Sequence, residues 1–285
     1  MENALCIALI QPSSPPDQKL YEKAIDILRK NLIPFKSFVD FIETPPFQKA
    51  FLLYEILTSQ KFTHLWAVRG GAGAIKLLPY LDEFFKDKNF PSFTLPPLLG
   101  FSDITVLHLY FWKKFKIRGL HAPMLIHLPK LYKDALKRLK EILFENKREG
   151  KLIGKSYRKG IAEGIILGGN LTVLASLCGT PYFPTDEKII LMVEDINEKL
   201  YRLERSFLQI LFSLPKNSLK GLILGNLGEV SPLEFLKNIQ EFLPPNIPIG
   251  YNFSFGHINK NYPFPIGAKA YFKVTEKRGE ISFKY

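Results

Sequence analysis

Cysteine is nearly absent from the chain: Cys6 and Cys178 are the only two in 285 residues. Residues so far apart give no zinc-ligand spacing and no disulfide framework, and such usage favours a reducing compartment. A cytoplasmic setting is therefore expected. Long apolar runs are missing too. None approaches the ~18 residues of a membrane-spanning helix, so no membrane role is expected. The apolar run from Ala4 to Ile10 lacks a basic region before it, follows Glu2 and ends in a proline-rich turn. It reads as a first buried strand rather than a secretion signal. There are no internal repeats and no low-complexity tract. No Gly-Lys-Ser/Thr follows the glycines at 70–73, and no G-x-G-x-x-G occurs there. These absences remove the P-loop and dinucleotide readings.

Hydrophobic residues make up 46% of the chain, enough for a full core in two modest domains or one large one. Charge is one-sided. The 39 Lys+Arg against 27 Asp+Glu give a net +12. A basic balance can point to nucleic acid, an anionic membrane or an acidic substrate. Here much of it lies on amphipathic segments such as KLYKDALKRLKEILFENKREGK, the pattern of a solvated helix face. No recognition-helix or stacking-aromatic signature accompanies it, so nucleic acid is not expected as a partner.

Short apolar runs alternate with helical patterns through the first part: ALCIALIQ, DQKLYEKAIDILRKNL, FQKAFLLYEILTS, THLWAVRGG, AIKLLPYLDEFF, PLLGF and DITVLHLYFWKKF. Such alternation predicts an α/β domain with a mostly parallel sheet, whose ligands sit beyond the carboxyl ends of the strands. Residues 1–126 are expected to form it. Residues 127–160, a charged amphipathic helix and a basic hairpin-like stretch, are expected to connect it to a second domain. The runs EGIILGG, KIILMVED, LKGLILGNL and AKAYFKVTEKRGEISFKY predict a smaller, strand-rich α/β domain over 161–285.

Four stretches could carry chemistry. In RGGAGAIKLLPYLD, glycines between a strand and a helix form either a plain tight turn or an anion site of free backbone N–H groups. In LLGFSDITVLH, Ser102 stands where a helix should start. It is either an N-cap or the nucleophile of a strand-to-helix elbow, although Ile104 occupies the last glycine of G-x-S-x-G. Asp103 falls in the first helical turn, favourable in either case. In LMVEDINEKLYRLERSF, Glu194 and Asp195 end a buried strand, as caps or as an acid partner, while Glu198 and Arg202 have the spacing of a helix-surface pair. In YNFSFGHINKNYPFPIG, His257 follows Gly256 in an aromatic loop. A serine needs a base to lose its proton, and the base needs an acid to hold its tautomer; Ser102, His257 and Glu194 would fill those roles.

Together these stretches resemble the LD-carboxypeptidase family of serine peptidases, which includes the microcin-C immunity peptidases. The likeness runs nearly end to end through ALIQPSSP, RGGAGAIKLLPYLD, GFSDIT, HAPM, GIILGGNLTVLASLCGTPY, VEDINEKLYRLER and FGH…PIGAKA. The resemblance implies a flavodoxin-like N-terminal domain with the nucleophile Ser102. It implies a C-terminal domain carrying the acid Glu194 and the base His257, and a homodimer. The oxyanion would be held by the backbone N–H groups of Gly71 and Asp103. No metal or organic cofactor is expected. The implied substrate is a murein tetrapeptide cut before its terminal D-alanine, with a non-murein peptide such as a peptide–nucleotide as the alternative. Two positions depart from the family: Ala72, where an aromatic is frequent, and Ala122, where glycine is usual. The first bears on side-chain preference rather than on the reaction.

Overall fold

The computed structural model describes residues 6–86, 95–145 and 147–285. Of the first apolar run, Ala4 and Leu5 lie outside the described residues, as does Asn146 of the lysine-rich segment. In chain order the first half contains β1 (Ile7–Ile10), α1 (Gln18–Lys30), β2 (Phe35–Phe38), α2 (Pro46–Thr58), β3 (His64–Ala67), α3 (Leu78–Phe84), β4 (Leu98–Gly100), α4 (Thr105–Phe115), β5 (Gly119–His121) and α5 (Lys133–Phe144). The second half contains β6 (Glu149–Arg158), β7 (Gly160–Asn170), α6 (Leu171–Ala175), β8 (Ile189–Glu194), α7 (Leu200–Ser213), β9 (Leu219–Leu224), α8 (Pro232–Ile239), β10 (Ile249–Tyr251), β11 (Phe264–Ile266), β12 (Lys269–Val274) and β13 (Gly279–Lys284).

Sheet order in the first half is β2-β1-β3-β4-β5, all parallel. This is the flavodoxin-like order. Successive strand residues face opposite sides. Ala8 and Ile10 therefore pack with Leu53 and Ile56 of α2, while Ile7 and Leu9 pack with Ala24 and Leu28 of α1. Local signals set the helices: the Asp17 carboxylate accepts from Leu20 N and caps α1, which ends in Arg29 and Lys30, and α2 opens on Pro46.

The second half closes into a barrel, β10-β6-β13-β12-β7-β8-β9. Strands β7, β8, β9 and β10 run parallel, and the remaining pairings are antiparallel. The fold is thus α/β, with a parallel flavodoxin-like sheet and a second, strand-rich α/β half, as the sequence implies.

The stretch 127–160 departs from its expected role as a connection. Leu139 and Leu143 of α5 are buried against the first sheet with Trp66 and Leu99, so this helix is a layer of that sheet. Strand β6 pairs with β13 and β10 and belongs to the barrel. Its exposed face carries Glu149, Lys151 and Lys155, and that charge hides its pairing in the sequence. The halves are also interlocked. Strand β11 leaves the barrel region and lies antiparallel on β5, as the sixth strand of the first sheet.

The carboxyl ends of the two sheets meet. Thr105 Oγ1, at the start of α4, accepts from Asn170 N at the end of β7 at 3.0 Å. A Cβ on Gly169, whose φ is +127°, would stand 2.4 Å from that same oxygen. Only glycine allows so close an approach.

Candidate active site

Ser102 follows β4 with φ +61°, a left-handed conformation rare for a residue with a side chain. It does not cap. Phe101 occupies the N-cap position of the turn that begins at Ser102 and supplies no side-chain bond. The serine hydroxyl makes no hydrogen bond among the described residues. Local backbone strain at a free, partly exposed hydroxyl is the geometry of an elbow. Gly70 lies directly alongside, since a Cβ there would sit 3.3 Å from both Cβ and Oγ of Ser102.

Glu194 ends β8 and is fully buried. His257 Nδ1 is 2.7 Å from Glu194 Oε2, while the ring stays partly open, with a side-chain exposure of 17%. Burial raises the Glu194 carboxyl above its ordinary range, and the contact with His257 opposes that rise. The imidazole packs on Phe101, the residue before Ser102, with ring centroids 4.7 Å apart. The structure thus brings His257 and Glu194 together and sets the imidazole against Phe101, the neighbour of Ser102.

Gly256 makes this pairing possible. Its φ is +105°, and a Cβ would lie 2.8 Å from both Cβ and Oε2 of Glu194. Asn261 Oδ1 accepts from its N–H at 3.1 Å and holds the turn. Gly256→Ala is expected to displace the imidazole and lower kcat about 100-fold, since a 1 Å misplacement has effects of that order. Its thermal midpoint should fall only a few degrees. Steady-state kinetics beside a melting curve checks both.

The other four histidines lie elsewhere in the electrostatic picture. Burial lowers His64, His108 and His127 to about 4 and pushes His121 well below its ordinary value. None of the four contacts a carboxylate among the described residues. His108 instead lies 2.9 Å from the Gly100 carbonyl through Nε2, and His121 stacks on Phe264 with centroids 4.4 Å apart.

The neighbours of Glu194 divide as well. Glu198 lies just before α7, not inside it, and pairs with the exposed Arg202 at 3.6 Å. Asp195, which also seemed suited to capping the next helix, does not cap α7. Its oxygens accept from Asn170 Nδ2, Ile196 N, Thr172 N and Thr172 Oγ1, which anchors the start of α6.

The backbone N–H groups of Gly71 and Asp103 donate to no acceptor among the described residues. Around them stand residues that the motifs left without a role. Ser14 N donates to Gly70 O and Ala72 N donates to Ser14 Oγ, each at 3.2 Å. Ser13 Oγ donates to Asp103 Oδ2 at 2.6 Å. The available signal was the serine pair in QPSSPP, just past the carboxyl end of β1, where open α/β sheets gather ligands.

A groove of about 1280 Å³ elsewhere has no part in this arrangement. Arg138 of α5, Lys151 of β6 and Tyr271 of β12 line it. So do Arg118 and Lys188, which lie near the amino ends of β5 and β8, the ends opposite the gathered residues.

Residues 7–122 match the N-terminal domain of the LD-carboxypeptidases, and residues 163–272 match the C-terminal domain. The chain belongs to the LD-carboxypeptidase family. Among family relatives, the protein slr1534 of Synechocystis sp. is 34% identical over 75% of this chain and 70% of its own. The murein tetrapeptide carboxypeptidase of Pseudomonas aeruginosa is 29% identical over 76% of this chain and 75% of its own. A crystal structure of an MccF-like protein from Bacillus anthracis superposes with a TM-score of 0.84 at 20% identity, covering 99% of this chain and 97% of that one. Family membership makes the chain a peptidase-type hydrolase. No helix among the described residues is long and apolar enough to cross a membrane.

Proposed function

We propose that this LD-carboxypeptidase is a serine enzyme that releases the terminal D-alanine of murein tetrapeptides. The observation that carries the reading is the 2.7 Å pairing of buried Glu194 with His257 beside the left-handed Ser102. With Nδ1 turned to Glu194, His257 has Nε2 free to take the Ser102 proton. Ser102 Oγ then attacks the carbonyl carbon of the last peptide bond. The oxyanion is received by the N–H groups of Gly71 and Asp103. The intermediate collapses as His257 gives its proton to the departing amine, leaving an acyl-serine. Water, deprotonated by His257, hydrolyses that ester and restores the serine. Glu194 keeps the imidazole in the useful tautomer and stabilises its charged form.

Murein is favoured as substrate by the name of the Pseudomonas relative, matched over three quarters of both chains. A role in peptidoglycan recycling, a cytoplasmic location and a homodimer belong to the same proposal. The test is incubation of the purified protein with a murein tetrapeptide, with mass detection of released D-alanine. Stoichiometric release is expected. Turnover of a peptide–nucleotide run in parallel, with the tetrapeptide untouched, would overturn the substrate in favour of the alternative.

A further inference from the structure

Resting on the serine reading above, we infer that the side chain of Asp103 is a positioning residue that fixes the two oxyanion donors relative to each other through a buried Lys49–Ser13–Asp103–Ala74 chain. One donor, Gly71 N–H, sits in the glycine loop after β3. The other, Asp103 N–H, sits in the elbow after β4. Their spacing has to be held to a fraction of an ångström for both to reach one oxygen. No bond of the parallel sheet does this, because both donors lie beyond the strand ends.

The Asp103 carboxylate spans that gap. Its Oδ2 accepts from Ala74 N in the glycine loop at 2.9 Å and from Ser13 Oγ in the loop after β1 at 2.6 Å. The Ser13 segment is sewn in turn to the glycine loop through Ser14, by the two 3.2 Å bonds to Gly70 and Ala72. Lys49, buried on α2, donates from Nζ to the Ser13 carbonyl at 2.7 Å and to Glu43 Oε1 at 2.6 Å. The loop after β1, the glycine loop and the elbow therefore converge on one carboxylate. Burial raises the Asp103 carboxyl, and the bonds from Ser13 and Ala74 together with the Lys49 charge act against it. A carboxyl so near the developing oxyanion gives it no help in itself, and the part left to it is the joining of the two loops.

The inference is tested by the rate at which a fluorophosphonate labels Ser102. The serine oxygen bonds to phosphorus, fluoride leaves, and the proton passes to His257; no murein substrate is needed. Asp103→Ala is expected to label at least ~100-fold more slowly, the effect of losing an oxyanion donor. Asp103→Asn, whose amide oxygen can accept both bonds, should stay within ~10-fold of the native rate. Ser13→Ala should slow labelling ~3- to 10-fold. With a peptide substrate, the loss in Asp103→Ala should fall on kcat with KM nearly unchanged. Native-rate labelling of folded Asp103→Ala, or a loss confined to KM, overturns the inference and leaves the serine reading standing. If Asp103→Ala does not fold, Ser13→Ala decides, and a native rate there overturns it. No labelling of the native protein at Ser102 removes the serine reading and this inference with it.

Discussion

Ser102→Ala is expected to leave a folded protein whose turnover has fallen at least ~10,000-fold. Removing a triad nucleophile has effects of this size, and what remains comes from the oxyanion site and binding. The fold should survive because the hydroxyl makes no hydrogen bond among the described residues that the substitution could break. The left-handed backbone at φ +61° is already present, and alanine bears it about as well as serine. Kinetics of D-alanine release, beside circular dichroism and a melting curve, separates the outcomes. Near-native turnover would remove Ser102 from the reaction. Loss of the folded state would return it to a structural part.

Glu194→Gln carries the second large effect, a fall of at least ~100-fold in kcat with the fold intact. The amide keeps the shape and can still accept from His257. It cannot stabilise the imidazolium, and a flipped amide would hold the wrong tautomer. Stability should change little because two terms oppose. A fully buried carboxylate sheds its desolvation, while the new NH2 at the Oε1 position finds no acceptor among the described residues, at a cost of about 1–3 kcal/mol. Glu198→Gln is the control. Its partly buried carboxylate, two residues before α7, pairs with the exposed Arg202, a surface contact of little consequence. Parallel kinetics on the two variants checks the assignment, and the opposite ranking would place the acid at Glu198.

How far the sequence revealed this arrangement depends on which residues act locally. The alternating strands and helices of the first half were legible because each of the longer ones has its own period and stop signals, while their flavodoxin-like order was implied by the family resemblance. Glu194 and His257, which the structure pairs, stood out in the sequence only as a residue ending an apolar run and a residue beside a glycine; the family resemblance, not those local signs, joined them to Ser102. The barrel was not legible. Periodicity marks strands but says nothing of closure, which arises from pairings such as β13 with β6 that join residues far apart in the chain. In β11, Phe264–Ile266 carries no local sign of which sheet it joins. Lys49 was hidden for another reason. A lysine on an amphipathic helix reads as solvent-facing, and only the tertiary structure gives it the Ser13 carbonyl and Glu43 as partners. Ser13 and the Asp103 carboxylate share that difficulty, since their bond closes a loop of ninety residues.

The strand exchanged between the halves has a mechanical consequence. The loop bearing His257 leaves the barrel at Tyr251, the end of β10, and arrives at Phe264, the start of β11, on the edge of the other sheet. It is moored to both halves. Swinging the halves apart would peel β11 from β5 and pull the imidazole away from its carboxylate, so such a motion would act directly on this pairing. Loosening either half would therefore disturb the pairing of His257 with Glu194.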